Sequence, residues 1–193
     1  MNGTEGRMMF RAFGCAVLLA FVVTAPSPAQ QAARARQPDV VFVPTPSEVV
    51  DAMLKLAKVT SNDVVYDLGS GDGRIPIAAA KTYGAHAIGI DIDPERIREA
   101  TANARASGVA DKVTFRNEDL FTADISPATV VTLYLSPSVN ARLAPKLMKE
   151  LKPGTRVVSH AFDLGSWKPQ QRVAVNERPI FLWTVAAPAA TRR

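Results

Sequence analysis

One run, Asp63-Val64-Val65-Tyr66-Asp67-Leu68-Gly69-Ser70-Gly71-Asp72-Gly73-Arg74-Ile75, constrains this chain more than any other. An apolar segment closes on an acid, three glycines follow at alternate positions, and Ile75-Pro76-Ile77-Ala78-Ala79-Ala80-Lys81 opens a helix-forming stretch. That order is a strand, a tight turn and a helix, the βα layout of nucleotide-binding folds. Glycines suit the turn because it needs unusual backbone angles and leaves no Cβ between backbone and ligand. The spacing is Gly69-x-Gly71-x-Gly73 rather than G-x-G-x-x-G. This disfavours a nicotinamide-dependent oxidoreductase, as does the lack of an obvious substrate domain.

A second acid stands at the right distance. Ala87-Ile88-Gly89-Ile90-Asp91 reads as the next strand, and its carboxylate falls 18 residues after Gly73. A carboxylate there can accept hydrogen bonds from ribose hydroxyls. The competing duty, capping the following helix, is already met by Asp93-Pro94-Glu95, with Asp93 as N-cap and Pro94 at the first helical position.

The rest of the chain repeats the alternation. Strands are expected at 64–68, 87–91, 112–116, 129–135 and 156–160, with helices at 74–83, 94–107 and from 139 onward, where Val139, Leu143, Leu147 and Leu151 share a face. Two further β-prone runs, 172–175 and 180–185, close the chain. Upstream, Thr45 with Glu48 resembles a capping box, Pro46 fits the first helical position, and Val49, Val50, Met53, Leu54 and Ala57 form one side of a helix. The pattern predicts a Rossmann-like, doubly wound α/β fold, its sheet mostly parallel with helices on both faces and an antiparallel last strand. In such sheets ligands bind beyond the carboxyl ends of the strands. Asp67 and Gly69, Asp91, Asp119, Tyr134 to Pro137, and His160 all fall at those ends.

The pattern D-x-G-x-G-x-G resembles motif I of the class I S-adenosylmethionine-dependent methyltransferases. The resemblance implies a seven-stranded sheet and S-adenosyl-L-methionine as cofactor. It gives Gly69, Gly71 and Gly73 to the methionine portion of that cofactor and Asp67 to its loop and ammonium group. Asp91 then takes the ribose, Asp119 the adenine amino group, and Ile92 and Leu120 flank the ring. Thr45 has two readings, a helix cap or a cofactor contact. More closely, Asp67 to Ile75 with its alanine-rich helix, Phe42-Val43-Pro44 and the 162–167 stretch resemble the small mitochondrial lysine methyltransferases of the ATP synthase c-subunit and the adenine nucleotide translocase, and their bacterial relatives, over about residues 41–168. The chain departs from many base and glutamine N-methyltransferases. After the fourth strand it reads Tyr134-Leu135-Ser136-Pro137, without the Asn/Asp-Pro-Pro-aromatic motif that grips a planar amide.

The methyl acceptor is therefore expected to be a protein lysine or a small molecule, with nucleic acid disfavoured. Tyr134 and His160 are the candidate catalytic groups, to orient the acceptor or take its proton, and Trp167 is either a cleft wall or a core residue. With one cysteine, Cys15, and two histidines, the chain shows no disulfide framework and no metal motif. The formal charge of +5 is spread along the chain rather than gathered into a patch.

Ahead of the domain, an apolar run from Ala12 to Ala25 follows Arg7 and Arg11 and precedes Ser27-Pro28-Ala29. That is the layout of a signal peptide, with cleavage after Ala29, and the run is short for a membrane-spanning helix. The organisation is a signal peptide or membrane tether at 1–29, a flexible linker at 30–40 and the catalytic domain at 41–193. Localisation follows the leader: exported, periplasmic or membrane-tethered if it is used, cytoplasmic if it is not. Export sits uneasily with a cofactor made in the cytoplasm, so a second reading stays open, a non-catalytic binding module built on the same fold. Oligomeric state is not legible.

Overall fold

Where the apolar runs alternate with helical periodicity, the chain builds a layered sheet. The computed structural model describes residues 38–187; the leader at 1–29 lies outside the described residues. The strands are β1 Val64–Leu68, β2 His86–Asp91, β3 Val113–Asn117, β4 Val130–Leu133, β5 Arg156–His160, β6 Gln171–Val175 and β7 Arg178–Thr184. The helices are α1 Ser47–Leu56, α2 Arg74–Tyr83, α3 Pro94–Ala106 and α4 Pro137–Glu150. The strands form one sheet in the order β3-β2-β1-β4-β5-β7-β6. Pairing is parallel from β3 to β5, and β7 enters antiparallel between β5 and β6. The order reverses between β1 and β4, so a crevice opens beyond their carboxyl ends.

Strand periodicity divides the core into two layers. Val65, Val130 and Val158 join Val49, Met53, Leu54, Ile75 and Ala79 on the side of α1 and α2. Tyr66, Leu68, Val131, Leu133 and Val157 join Val139, Leu143, Leu147 and Trp183 on the side of α4. The same parity matters for function. Asp67, Thr132 and His160 each stand two residues beyond Val65, Val130 and Val158, so three polar side chains gather on the α1 side at the carboxyl ends.

Two local expectations are corrected. Thr45 and Glu48 form no capping box: the N-cap of α1 is Pro46, without a side-chain cap bond. Thr45 Oγ1 instead lies 3.4 Å from His160 Nδ1. The fourth strand is shorter than 129–135, because the Thr129 hydroxyl is committed to Asp63 at 2.7 Å while Tyr134 and Leu135 leave the sheet to line the crevice. Asp93 does cap α3, accepting from the Glu95 N–H at 2.8 Å, and Ser136 accepts from the Val139 N–H at the start of α4.

The amino-terminal edge of the sheet carries a different set of polar contacts. Buried Asp63 accepts from the Thr129 hydroxyl, from the Thr60 N–H at 2.8 Å and from the Arg156 guanidinium, which also donates to the carbonyl of Ala57 at 2.8 Å. Burial alone would raise the Asp63 carboxyl, but these donors and the Arg156 charge overcome it and hold the group below its ordinary value. Its stabilising contribution is therefore complete above about pH 4 and is lost on acidification through the lowered value. Arg156→Met strands a buried carboxylate and is expected to cost about 1–3 kcal/mol in denaturant unfolding while leaving cofactor affinity unchanged.

Candidate functional site

The turn after β1 is fastened to the end of β2. The N–H groups of Gly69 and Ser70 both donate to the Ile90 carbonyl, at 2.8 and 3.0 Å, and the Gly71 N–H donates to Asp91 Oδ2 at 2.8 Å. The other Asp91 oxygen accepts from the Asp93 N–H at 2.9 Å. Each oxygen keeps lone-pair capacity for a further donor, and Asp91 lines the crevice. All three glycines have positive φ. A Cβ at Gly71 would stand 2.2 Å from the Phe42 ring, and one at Gly73 would stand 2.5 Å from Phe115 and 2.9 Å from Ala100.

The three glycines have different surroundings. Gly69 lines the crevice, whereas Gly71 and Gly73 do not. Gly73 permits α2 to start against Phe115 and α3, which is a packing duty. Gly71 presents its N–H to Asp91 while the Phe42 ring rests on its bare Cα.

The crevice encloses about 520 Å³. One wall is the approach segment 38–45; the others come from the glycine turn, Ile90 to Asp93, Glu118 to Leu120, and Tyr134 and Leu135. The approach segment is held at three points. The Phe42 ring lies under the Arg96 guanidinium at 5.1 Å, the Thr45 carbonyl accepts from Arg74 at 2.9 Å, and Asp39 stands 3.8 Å from Arg142. Arg74 also grips Asp72 with Nε at 3.0 Å and Nη2 at 2.5 Å, so one guanidinium joins the glycine turn to the approach segment. Neither Arg74 nor Phe42 announced this from sequence. An arginine opening a helix reads as an exposed charge, and Phe42 entered only through the Phe42-Val43-Pro44 resemblance.

Of the other expected residues, Thr45, Asp67, Ile92, Asp119, Leu120 and Tyr134 all line the crevice. Asp119 Oδ1 also accepts from the Phe121 N–H at 2.9 Å, so it braces its own loop while facing the cleft. His160 does not line it. On β5, opposite Ile180, it sits one strand further from the switch point and is buried. It reaches the site through neighbours, its ring 4.0 Å from that of Tyr134 and its Nδ1 near Thr45. Burial lowers the His160 pKa, with the Arg178 charge adding to it, so the ring stays neutral near pH 7. Trp167 is half-buried against the core and does not line the cleft: its carbonyl accepts from Trp183 Nε1 at 2.8 Å beside that indole.

Asp67 is a buried carboxyl without a cationic partner among the described residues. It is 2% exposed and accepts from the Thr132 hydroxyl at 2.7 Å. Burial pushes it up to about 8, with the charges of Asp91 and Asp72 adding and Thr132 opposing. A carboxyl raised on folding favours its protonated form, so folded-state stability falls as pH rises from about 4 to 8. A cation seated beside it reverses that cost.

These features fit S-adenosylmethionine. The volume suits a ligand of that size. The side-chain-free turn admits backbone approach, Asp91 retains acceptor capacity, and Ile92 and Leu120 offer apolar faces. The cofactor's cationic end matches a wall with seven carboxyl groups, Asp39, Asp67, Asp72, Asp91, Asp93, Glu118 and Asp119, against the two guanidiniums Arg74 and Arg96.

Comparison with known proteins agrees. The ANTKMT methyltransferase domain family matches residues 67–171. A protein-lysine N-methyltransferase of Saccharolobus islandicus is 52% identical over 72% of this chain and 88% of its own length. The mouse adenine nucleotide translocase lysine N-methyltransferase is 35% identical over 67% of this chain, which spans 56% of that protein. A solved structure described as an RNA methyltransferase from Salinibacter ruber, in complex with S-adenosyl-L-homocysteine, is 55% identical with a TM-score of 0.75, covering 78% of this chain and 98% of its own.

Calorimetric titration across pH tests the Asp67 assignment. S-adenosylmethionine affinity is expected to rise between about pH 6 and 8 with proton release, and Asp67→Asn to weaken binding by roughly tenfold and remove the pH dependence.

Proposed function

Starting from a chain that belongs to the ANTKMT methyltransferase domain family and is an S-adenosylmethionine-dependent methyltransferase, we propose that its acceptor is the amine of a protein lysine. The observation that carries the proposal is the charge of the cleft: apart from Asp67, whose burial favours the protonated form, six carboxylates face two guanidiniums along its walls. Such a wall attracts an ammonium group and repels a phosphate backbone, whose binding is driven by lysine and arginine contacts. The named lysine methyltransferases among its relatives support the same reading. The 55% identical structure described as an RNA methyltransferase supplies the competing acceptor.

When bound, S-adenosylmethionine supplies a methyl group activated on a sulfonium. Gly69, Asp67, Asp91, Asp119, Ile92 and Leu120 are the residues that would hold it. The chain's remaining task is to deliver a neutral nucleophile in line. The acidic rim gathers the lysine ammonium. Apolar Leu135 and Val139 in the lining disfavour the charged form, easing loss of the proton to solvent. Tyr134, at the carboxyl end of β4 and backed by His160, presents a hydroxyl to orient the amine. In this arrangement His160 buttresses the wall and does not itself touch the acceptor.

The test gives the full-length protein radiolabelled cofactor with lysine-containing protein substrates, the same substrates with arginine in place of lysine, and folded RNA. Transfer is expected to lysine alone, and a Tyr134→Phe variant should lose about 10- to 100-fold in kcat with cofactor affinity retained. Label in RNA and none in protein would overturn the proposal.

A further inference from the structure

His160 and Tyr134 touch; strand parity puts the imidazole on the α1 side, but β5 ends at His160, so the chain beyond it is held by other contacts. The chain leaves β5 through an unusual turn. Ala161 adopts a φ of +67°, a left-handed conformation that a residue with a Cβ rarely takes, and the Phe162 N–H donates back to the His160 carbonyl at 2.8 Å. Backbone strain of this kind persists only where surrounding contacts over-determine it. Two contacts do so here. The Ala161 N–H donates to the Pro179 carbonyl at 2.8 Å. From the other layer, Asn140 on the first turn of α4 places its amide nitrogen 3.2 Å from the Phe162 carbonyl, 3.0 Å from the Asp163 carbonyl and 3.2 Å from Ser159 Oγ.

We propose that Asn140 is a positioning residue for methyl transfer: its amide clamps the turn after β5 and thereby holds His160 against Tyr134 and Thr45, the two cleft-lining residues that His160 touches. The inference rests on methyl transfer at this cleft and not on the identity of the acceptor. Three observations converge on it. Asn140 is fully buried, as is Ser159, and His160 is 2% exposed, so both ends of the linkage are shielded from water while the turn between them, at 161–163, lies nearer the surface. The amide orientation is set, because a flipped side chain would aim its oxygen at two carbonyl oxygens. The Asn140 Oδ1 atom is buried with no donor among the described residues, so the position is poorly satisfied as a purely structural one. Asn140 also belongs to the same helix start as Val139, which lines the cleft. A shift of the turn therefore reaches the site from both layers.

The linkage runs from Asn140 through the 159–163 backbone to the imidazole and then to the Tyr134 ring. Among the described residues, Tyr134 lies against that imidazole and the Arg178 charge acts on it from β7. Burial keeps the ring neutral there. Loosening the turn lets water reach it.

The experiment compares wild type, Asn140→Ala, His160→Ala and the double variant, with Asn140→Ser taking the place of alanine should that variant not fold. Cofactor affinity is read by calorimetry, kcat and KM by methyl transfer, and the His160 imidazole by NMR titration. The chain has only two histidines, and the other, His86, lies exposed at the opposite end of the sheet, so the His160 signal is separable. Asn140→Ala is expected to lower kcat by about 10- to 100-fold, with cofactor affinity and KM within about threefold, and to move the His160 titration upward. In the His160→Ala background the same substitution should change kcat by less than about threefold, because the effect travels through that ring. An unchanged kcat in a folded variant would overturn the proposal. So would an equal loss in both backgrounds, or a cofactor affinity that falls in step with kcat.

Discussion

The Gly71 N–H to Asp91 hydrogen bond, with the two bonds from Gly69 and Ser70 to the Ile90 carbonyl, fixes the site. It ties the turn leaving β1 to the carboxyl end of β2, the two strands whose side-by-side parallel pairing sets the register of the crevice. The turn can be fastened this closely because its residues lack side chains where Phe42 and Phe115 come within contact of the backbone. One carboxylate thus serves twice, organising the turn through N–H groups and facing the cleft with the capacity that remains.

The two edges of the sheet divide the labour. At the amino edge, Asp63, Thr129 and Arg156 satisfy one another and the end of α1, and nothing there faces a cleft. At the carboxyl edge, polar groups are left with spare capacity or held in costly states. Asp67 is buried and shifted upward, Ala161 is strained, and Asn140 is only partly satisfied. Stability is stored at one end and reactivity at the other, as expected when binding sites are built from groups that folding alone would not favour. An excess of acids along the cleft then gives the acceptor end its preference for cations.

Much of this was legible in the sequence for physical reasons. Alternating apolar runs and glycine punctuation located the seven strands and four helices of the described residues, since periodicity of 2 and of 3.6 reports burial directly. Asp67, Asp91, Asp119, Ile92, Leu120 and Tyr134 reach the cleft because the carboxyl ends of adjacent parallel strands must converge. What failed was whatever depended on side-chain direction between distant segments. Thr45 had two readings, and the cap reading, drawn from its spacing to Glu48, gave way: its hydroxyl lies near His160, 115 positions away, and the residue lines the cleft. Gly73 carried the same glycine signature as Gly69, yet its bare face meets Phe115. His160 stood at a strand end like the others, yet lies behind the wall. The clasp made by Arg74 and the clamp made by Asn140 join residues whose types, taken singly, suggest a surface charge and a helix interior.

The central claim is that Asp91 both braces the glycine turn and holds the cofactor. Calorimetric titration of the full chain with S-adenosyl-L-homocysteine, comparing wild type with Asp91→Ala, tests it most directly, with thermal unfolding as the control for folding. Loss of about 100-fold or more in affinity by a variant that still unfolds cooperatively is the predicted result, since two charge-assisted hydrogen bonds to a ligand are each worth roughly 1.5–3 kcal/mol. Affinity unchanged in a folded Asp91→Ala variant would contradict the account and place the cofactor elsewhere.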